Sequence, residues 1–256
     1  MTKFVLRNLG TETRNMHKYQ SIWRKRNWEK TLSKHGPQIE EFLRKLNTLD
    51  IWLNVLQRDG TAKELIPEIW MDGYISITFG AMGLYKYGNM ALRSSLETSL
   101  RMVYFSKHPI EFDWWKKDSR WYLDYNWNDV WGKHYEYFEK LQLFKKFDDG
   151  CSPNKGLFKK DAGNCLGRLY DSLSGSIHTR AGRFQTSPST FSPKYAEEKF
   201  QHWMDYFIKT HTYINVLFAL GFHNELKSMH TADLEKILDV GIGPEYKAII
   251  QNVVGC

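Results

Sequence analysis

Residues 38–57, QIEEFLRKLNTLDIWLNVLQ, set Ile39, Phe42, Leu43, Leu46, Leu49, Leu53 and Leu56 mostly three or four positions apart. That spacing follows the 3.6-residue turn of an α-helix and gathers the apolar side chains on one stripe. A stripe of this kind needs a partner surface, so the chain must build helix against helix. The same grammar recurs at 89–107, 129–147, 157–178 (helical to about Ser174) and 194–226. Residues 67–86 are apolar almost all round, which predicts a central helix. There Gly73, Gly80 and Gly83 weaken helix propensity but permit close approach of a neighbour, and the β-branched run ISIT makes a strand the competing reading. No alternating strand series and no internal repeat is present. The expected fold is all-α: an antiparallel helical bundle of four to five long helices. The expected division is a basic N-terminal arm (1–34), a bundle (35–226) and a small helical tail (227–256), in which two short helices flank Gly241-Ile242-Gly243-Pro244.

Composition narrows the class. Cys151, Cys165 and Cys256 form neither a disulfide framework nor a zinc motif, which predicts a reducing, cytoplasmic setting. The opening MTKFVLRNLG lacks the apolar core of a secretion signal. The best apolar runs, 75–85 and 213–222, fall short of the about 20 residues that span a bilayer, so no membrane partner is expected. Aromatic residues reach 15% with ten Trp. The aperiodic stretch FDWWKKDSRWYLDYNW (112–127) holds more rings than one bundle core absorbs, which predicts a homodimer or a complex with an operon-encoded partner.

The net charge of +7 is uneven. Residues 1–34 hold nine Lys and Arg against Glu12 and Glu29, equal to the whole excess, with Phe4, Tyr19, Trp23 and Trp28 interleaved. A second basic stretch, 155–183, includes Arg168, Arg180 and Arg183. Cations that neutralise phosphates beside rings that stack on bases suit a nucleic-acid surface. Trp23, Arg24, Lys25, Arg26, Trp28, Arg180 and Arg183 are the candidate contacts. The alternative is a basic amphipathic arm that packs on the body or docks on an acidic protein.

Two segments carry candidate chemistry. Arg93, Glu97 and Arg101 share one helix face at i, i+4 and i+8, bordering the stripe of Leu92, Leu96 and Leu100. This row is either a surface ladder or a buried polar network kept for a site. In YDSLSGSIHTRAGRF (170–184), His178 follows Ser174-Gly175-Ser176 and precedes a long loop. An imidazole there can serve as acid or base near neutral pH, or merely bond a helix-terminal carbonyl. Ser174 lies four residues before His178, but no orienting acid completes a nucleophilic pair. The His residues are scattered, His202, His211 and His223 being nine and twelve apart, so neither a metal nor another cofactor is expected.

The segments LRSSLETSLRMVYF (92–105) and LYDSLSGSIHT (169–179) together resemble the HEPN superfamily of prokaryotic helical bundles. More narrowly, they resemble bacterial branches with an LR-x-x-x-E row followed by Y-x-x-L-S-x-x-x-H. The matching positions are Leu92, Arg93 and Glu97, then Tyr170, Leu173, Ser174 and His178, and the likeness covers residues 38–226. It implies an up-and-down bundle, frequent dimerisation, RNA binding or metal-independent RNA cleavage, and a place in toxin or antiviral defence systems. Arg93, Glu97 and His178 would then be catalytic. HEPN ribonucleases place four to six residues between an Arg and a His; Arg168 and His178 are separated by nine, and Arg101 and His108 by six. A non-catalytic subunit that holds nucleic acid or protein in a defence complex is the second expectation.

Overall fold

The computed structural model describes residues 11–117, 137–138, 140–153, 155–158, 165–177 and 195–256, side chains excepted at 11–20, 22–24 and 176–177. The described residues contain helices and turns and no strand, so the protein is an all-α bundle. Its elements are α1 (Thr11–Leu46), α2 (Thr48–Val55), α3 (Gly60–Ala81), α4 (Tyr85–Phe105), α5 (Pro109–Lys117), α6 (Gln142–Gly150), α7 (Cys165–Ile177) and α8 (Glu197–Gly221). Shorter pieces follow: α9 (His223–Lys227), α10 (Thr231–Lys236), a π-helical turn (Ile237–Ile242), α11 (Pro244–Ile250) and a second π-helical turn (Gln251–Gly255). No helix among the described residues is long and apolar enough to cross a membrane.

The first helix is kinked at Gly36-Pro37. His35 leaves helical geometry (φ −132, ψ 21) two residues ahead of Pro37, whose missing N–H and ring disturb the preceding turn. N-terminal to the kink, the basic segment lies on the body. Asn27 Nδ2 donates to Met82 O at 3.0 Å and buried Thr31 Oγ1 to Ala81 O at 2.9 Å. Both acceptors are carbonyls at the end of α3, where intrahelical donors run out.

The bounds of α3 differ from the 67–86 reading because of its caps. Ala62 N donates to Asp59 Oδ1 at 3.0 Å, so the helix begins at Gly60 and Pro67 sits inside it. Its end is set by Gly83 at φ 77, after which Leu84 N donates back to Phe79 O at 2.8 Å. The ISIT run is helical, with Ser76 and Ile77 buried. Nor is α3 central on every side, because Met71 and Tyr74 are exposed. The helix sealed all round is the second half of α8, where every residue from Thr210 to Gly221 is buried. The expected helix 194–226 is two, divided at Phe222 (φ −121, ψ 43).

Close helix approach is achieved as the glycines suggest. A Cβ on Gly80 would lie 2.3 Å from Trp203 Cε2, and one on Gly73 2.5 Å from Leu46 Cδ1. Trp203 of α8 thus sits against the α3 backbone and donates Nε1 to Ser76 Oγ at 3.0 Å. The C-terminal tail packs on the same core through Ile237, Leu238, Ile242, Tyr246 and Ile250. It is also pinned by Lys45, whose ammonium donates to Val240 O at 2.9 Å and Gly241 O at 2.7 Å. Burial lowers the Lys45 pKa to about 8, partly offset by Glu41. Residues 118–136 and 178–194, which include most of the aromatic connector and the predicted long loop, lie outside the described residues.

Candidate functional site

The two sequence motifs meet where α7 packs on α4. Arg93, Glu97 and Arg101 point along one face of α4, as their i, i+4, i+8 spacing requires. Arg93 Nε donates to Glu97 Oε1 at 2.7 Å, and Arg101 Nη2 lies 3.6 Å from Glu97 Oε2. From α7, the Tyr170 hydroxyl donates to the same Glu97 Oε1 at 3.2 Å. The Arg93 guanidinium covers the Tyr170 ring, 4.8 Å from its centroid. Both oxygens of Glu97 are therefore engaged, and one carboxylate orients two cations.

Local sequence explains the placement. Leu92, Leu96 and Leu100 bury one stripe of α4 while Leu166, Leu169 and Leu173 bury the matching stripe of α7. The polar row sits one position off that seam, at its edge. Side-chain exposures of 16%, 17% and 21% for Arg93, Glu97 and Arg101 put the cluster between a surface ladder and a sealed core. Charges this far from bulk water interact more strongly than an exposed pair does, and they remain reachable. Burial first, and then the Glu97 charge, raise the Tyr170 pKa, so the phenol stays a neutral donor.

Asp72 of α3 joins the site and was not singled out from sequence. Burial raises its pKa, a Ser94 hydrogen bond opposes this, and Glu68 and Glu97 add to the rise. Its signal was present, since Glu64, Glu68 and Asp72 repeat every four residues on α3. That row lies beside the α4 row because α3 and α4 are antiparallel neighbours joined by three residues.

The other candidates fall elsewhere. His178, Arg180 and Arg183 lie outside the described residues, as do the side chains of Trp23 and Arg24. Lys25 and Arg26 are exposed on α1, and Trp28 is half-buried. Lys25 approaches Glu29 at 3.9 Å, with both side chains well exposed. Ser174 Oγ donates to Tyr170 O at 2.8 Å, a backbone bond within α7. The Arg101–His108 spacing does not build a pair here. Arg101 turns to Glu97, while the His108 ring bonds Tyr104 O through Nδ1 at 2.8 Å and stacks on Tyr104 at 4.1 Å.

No group of three or more His, Cys, Asp or Glu with metal-holding geometry occurs among the described residues. His211 is fully buried with neither ring nitrogen hydrogen-bonded, and desolvation, aided by Lys45, pulls its pKa to about 3. It is a neutral core group. Cys151, Cys165 and Cys256 are thiols that form no disulfide among the described residues. The chemistry available at the α4–α7 seam is that of two guanidinium groups held by one carboxylate, cations of the kind that pair with phosphate oxygens, while the phenol donates to Glu97. No family model matches the chain, and neither does any curated protein or solved structure.

Proposed function

We propose that the protein is an RNA-directed effector of HEPN type, acting in the cytoplasm in a prokaryotic defence or toxin system. One observation carries this reading: Glu97 bonds Arg93 and Tyr170 together, so residues from both motifs form one reachable cationic cluster. Arg93 and Arg101 grip the phosphodiester, Glu97 and Tyr170 hold them in place, and His178 moves the proton. In the cleavage step His178 takes the proton from a ribose 2′-OH. The 2′-oxygen bonds to phosphorus as the P–O5′ bond breaks. The proton held by His178 passes to the leaving 5′-oxygen, giving a 2′,3′-cyclic phosphate and a 5′-OH end. The aromatic surplus supports work as a homodimer or with an operon-encoded partner.

The test is an RNA cleavage assay on wild type and on Arg93→Ala, Glu97→Ala and His178→Ala, with melting curves on the same samples. Each variant should lose cleavage with a thermal midpoint within a few degrees of wild type, and a substrate with 2′-deoxy at the scissile position should resist. Full activity of His178→Ala defeats the catalytic assignment.

A second reading has its own support. Both oxygens of Glu97 are engaged and Ser174 is tied to its own helix, so neither of these motif residues is poised as a general base. On this reading the protein is a non-catalytic subunit that holds RNA, or a partner protein, through the same cations and the basic segment of α1. Retained RNA binding without cleavage in wild type selects it.

A further inference from the structure

On another face, α7, α8, α11 and the segment around Lys155 enclose a cavity of about 460 Å³. Its floor holds the buried Tyr213 and Tyr246, rings 6.2 Å apart and nearly perpendicular. Burial raises the pKa of both phenols, keeping them protonated. Leu169 and the half-buried Tyr206 supply apolar wall. Its rim is cationic: Lys155, Arg168 and Lys209 outnumber the one lining carboxylate, Glu245.

This lining is built and not incidental. The buried carboxylate of Asp148 accepts from Leu157 N at 2.7 Å and Phe158 N at 2.9 Å, fixing the segment that carries Lys155. Tyr246 donates to Lys155 O at 3.3 Å from below. Lys155 pairs with Glu245 at 2.8 Å and Lys209 with Asp205 at 2.6 Å, all four side chains about half exposed. Exposed pairs of this type are worth little, so a doubly charged anion can displace the carboxylates. Arg168 donates to Cys165 Sγ at 3.1 Å, which places a thiol in the same cavity.

We propose that this cavity binds a nucleotide phosphomonoester, with the phosphate on Lys155, Arg168 and Lys209 and the ring system against Tyr206. Volume and chemistry agree: a few hundred Å³ is the size of small-ligand sites, and clustered cations recognise phosphate while an aromatic wall accepts a base. The phosphomonoester is that of a free mononucleotide or of an RNA 5′ end. The inference stands apart from the RNA-directed reading, since it shares no residue with the Glu97 cluster.

Cys165 reports on occupancy. Its alkylation by iodoacetamide is followed by peptide mass spectrometry on the full chain, with Cys256 as internal control. The probes are 5′-AMP, adenosine, and one short oligoribonucleotide with and without a 5′-phosphate. 5′-AMP should slow Cys165 labelling about tenfold at saturation, while adenosine should not. Arg168→Met and Lys209→Met should each weaken 5′-AMP about tenfold. Glu245→Gln, which removes the competing carboxylate, should tighten it. Protection by the 5′-phosphorylated oligonucleotide alone upholds the site and assigns it to RNA ends. Equal labelling rates with and without every phosphorylated probe overturn the proposal. Arg93→Ala should keep full protection, which separates failure here from failure at the Glu97 cluster.

Discussion

The Tyr170 hydroxyl reaches Glu97 Oε1 across 3.2 Å, and Arg93 closes over the Tyr170 ring from the same carboxylate. One residue of α7 is thus bound twice to α4, once by a hydrogen bond and once by a cation–π contact. Tyr170→Phe removes only the first. It should cost about 1 kcal/mol in urea unfolding, the usual net value of one hydrogen bond, more if Glu97 is left under-solvated. A cycle with Glu97→Gln should give a coupling of about 0.5–1.5 kcal/mol. Additive losses would mean that the bond does not form in solution.

Gly80 tests the packing of α8 on α3. A methyl group there would meet the buried Trp203 indole at 2.3 Å, and the indole cannot step aside without giving up its bond to Ser76. Gly80→Ala should therefore destabilise by about 1–3 kcal/mol even though Ala is the better helix former by about 1 kcal/mol. Gly175 in α7 is the control, since nothing lies within 4 Å of an added Cβ. Gly175→Ala should stabilise by up to about 1 kcal/mol. The two signs, read from chemical denaturation, separate crowding from propensity.

The bundle was legible because helical spacing is a local signal, and each stripe, from Ile39 to Leu56 or Leu92 to Leu100, names its own buried face. Which helix is innermost was not. Composition pointed to 67–86, but Met71 and Tyr74 remain exposed while α8 is sealed from Thr210 onward. Burial depends on how many neighbours a helix gains, which no single segment encodes. The Arg93–Glu97–Arg101 row was readable from spacing. Its link to Tyr170 spans 73 residues and rests on tertiary packing. Asp72 escaped notice because an acidic row on α3 reads as a solvated face until α4 is set beside it.

His211 should govern part of the acid limb of stability. The native ring, fully buried and without a hydrogen-bond partner, stays neutral down to about pH 3, whereas the unfolded ring gains a proton below about pH 6.5. Between those values the unfolded chain binds more protons, so stability falls as pH falls. From pH 7 to 4.5 the loss due to this one group is on the order of 3 kcal/mol. His211→Leu should be neutral or stabilising at pH 7, because no hydrogen bond is lost, and should remove that share of the acid loss. Urea midpoints at the two pH values check it. A variant as acid-sensitive as wild type refutes the assignment.

The basic segment of α1 packs on the body, and different variants separate that packing from its charge. Thr31 and Asn27 are buried, both bonded to the end of α3, and Lys34 bonds Glu197 at 3.2 Å at the start of α8. Lys25 and Arg26 on the same helix are exposed. Deleting 1–34 therefore removes packing along with charge, and should lower the melting temperature as well as polyanion affinity. Lys25→Gln with Arg26→Gln removes charge alone. It should leave the melting temperature unchanged, since surface substitutions cost little. For single-stranded RNA each neutralised phosphate contributes about 0.7 to the slope of log K against log salt, so the double variant should flatten that slope by up to about 1.4. Titrations of a fluorescent oligoribonucleotide at several salt concentrations give the slope directly. An unchanged slope assigns the charge of Lys25 and Arg26 to solvation and removes both from the proposed RNA contacts.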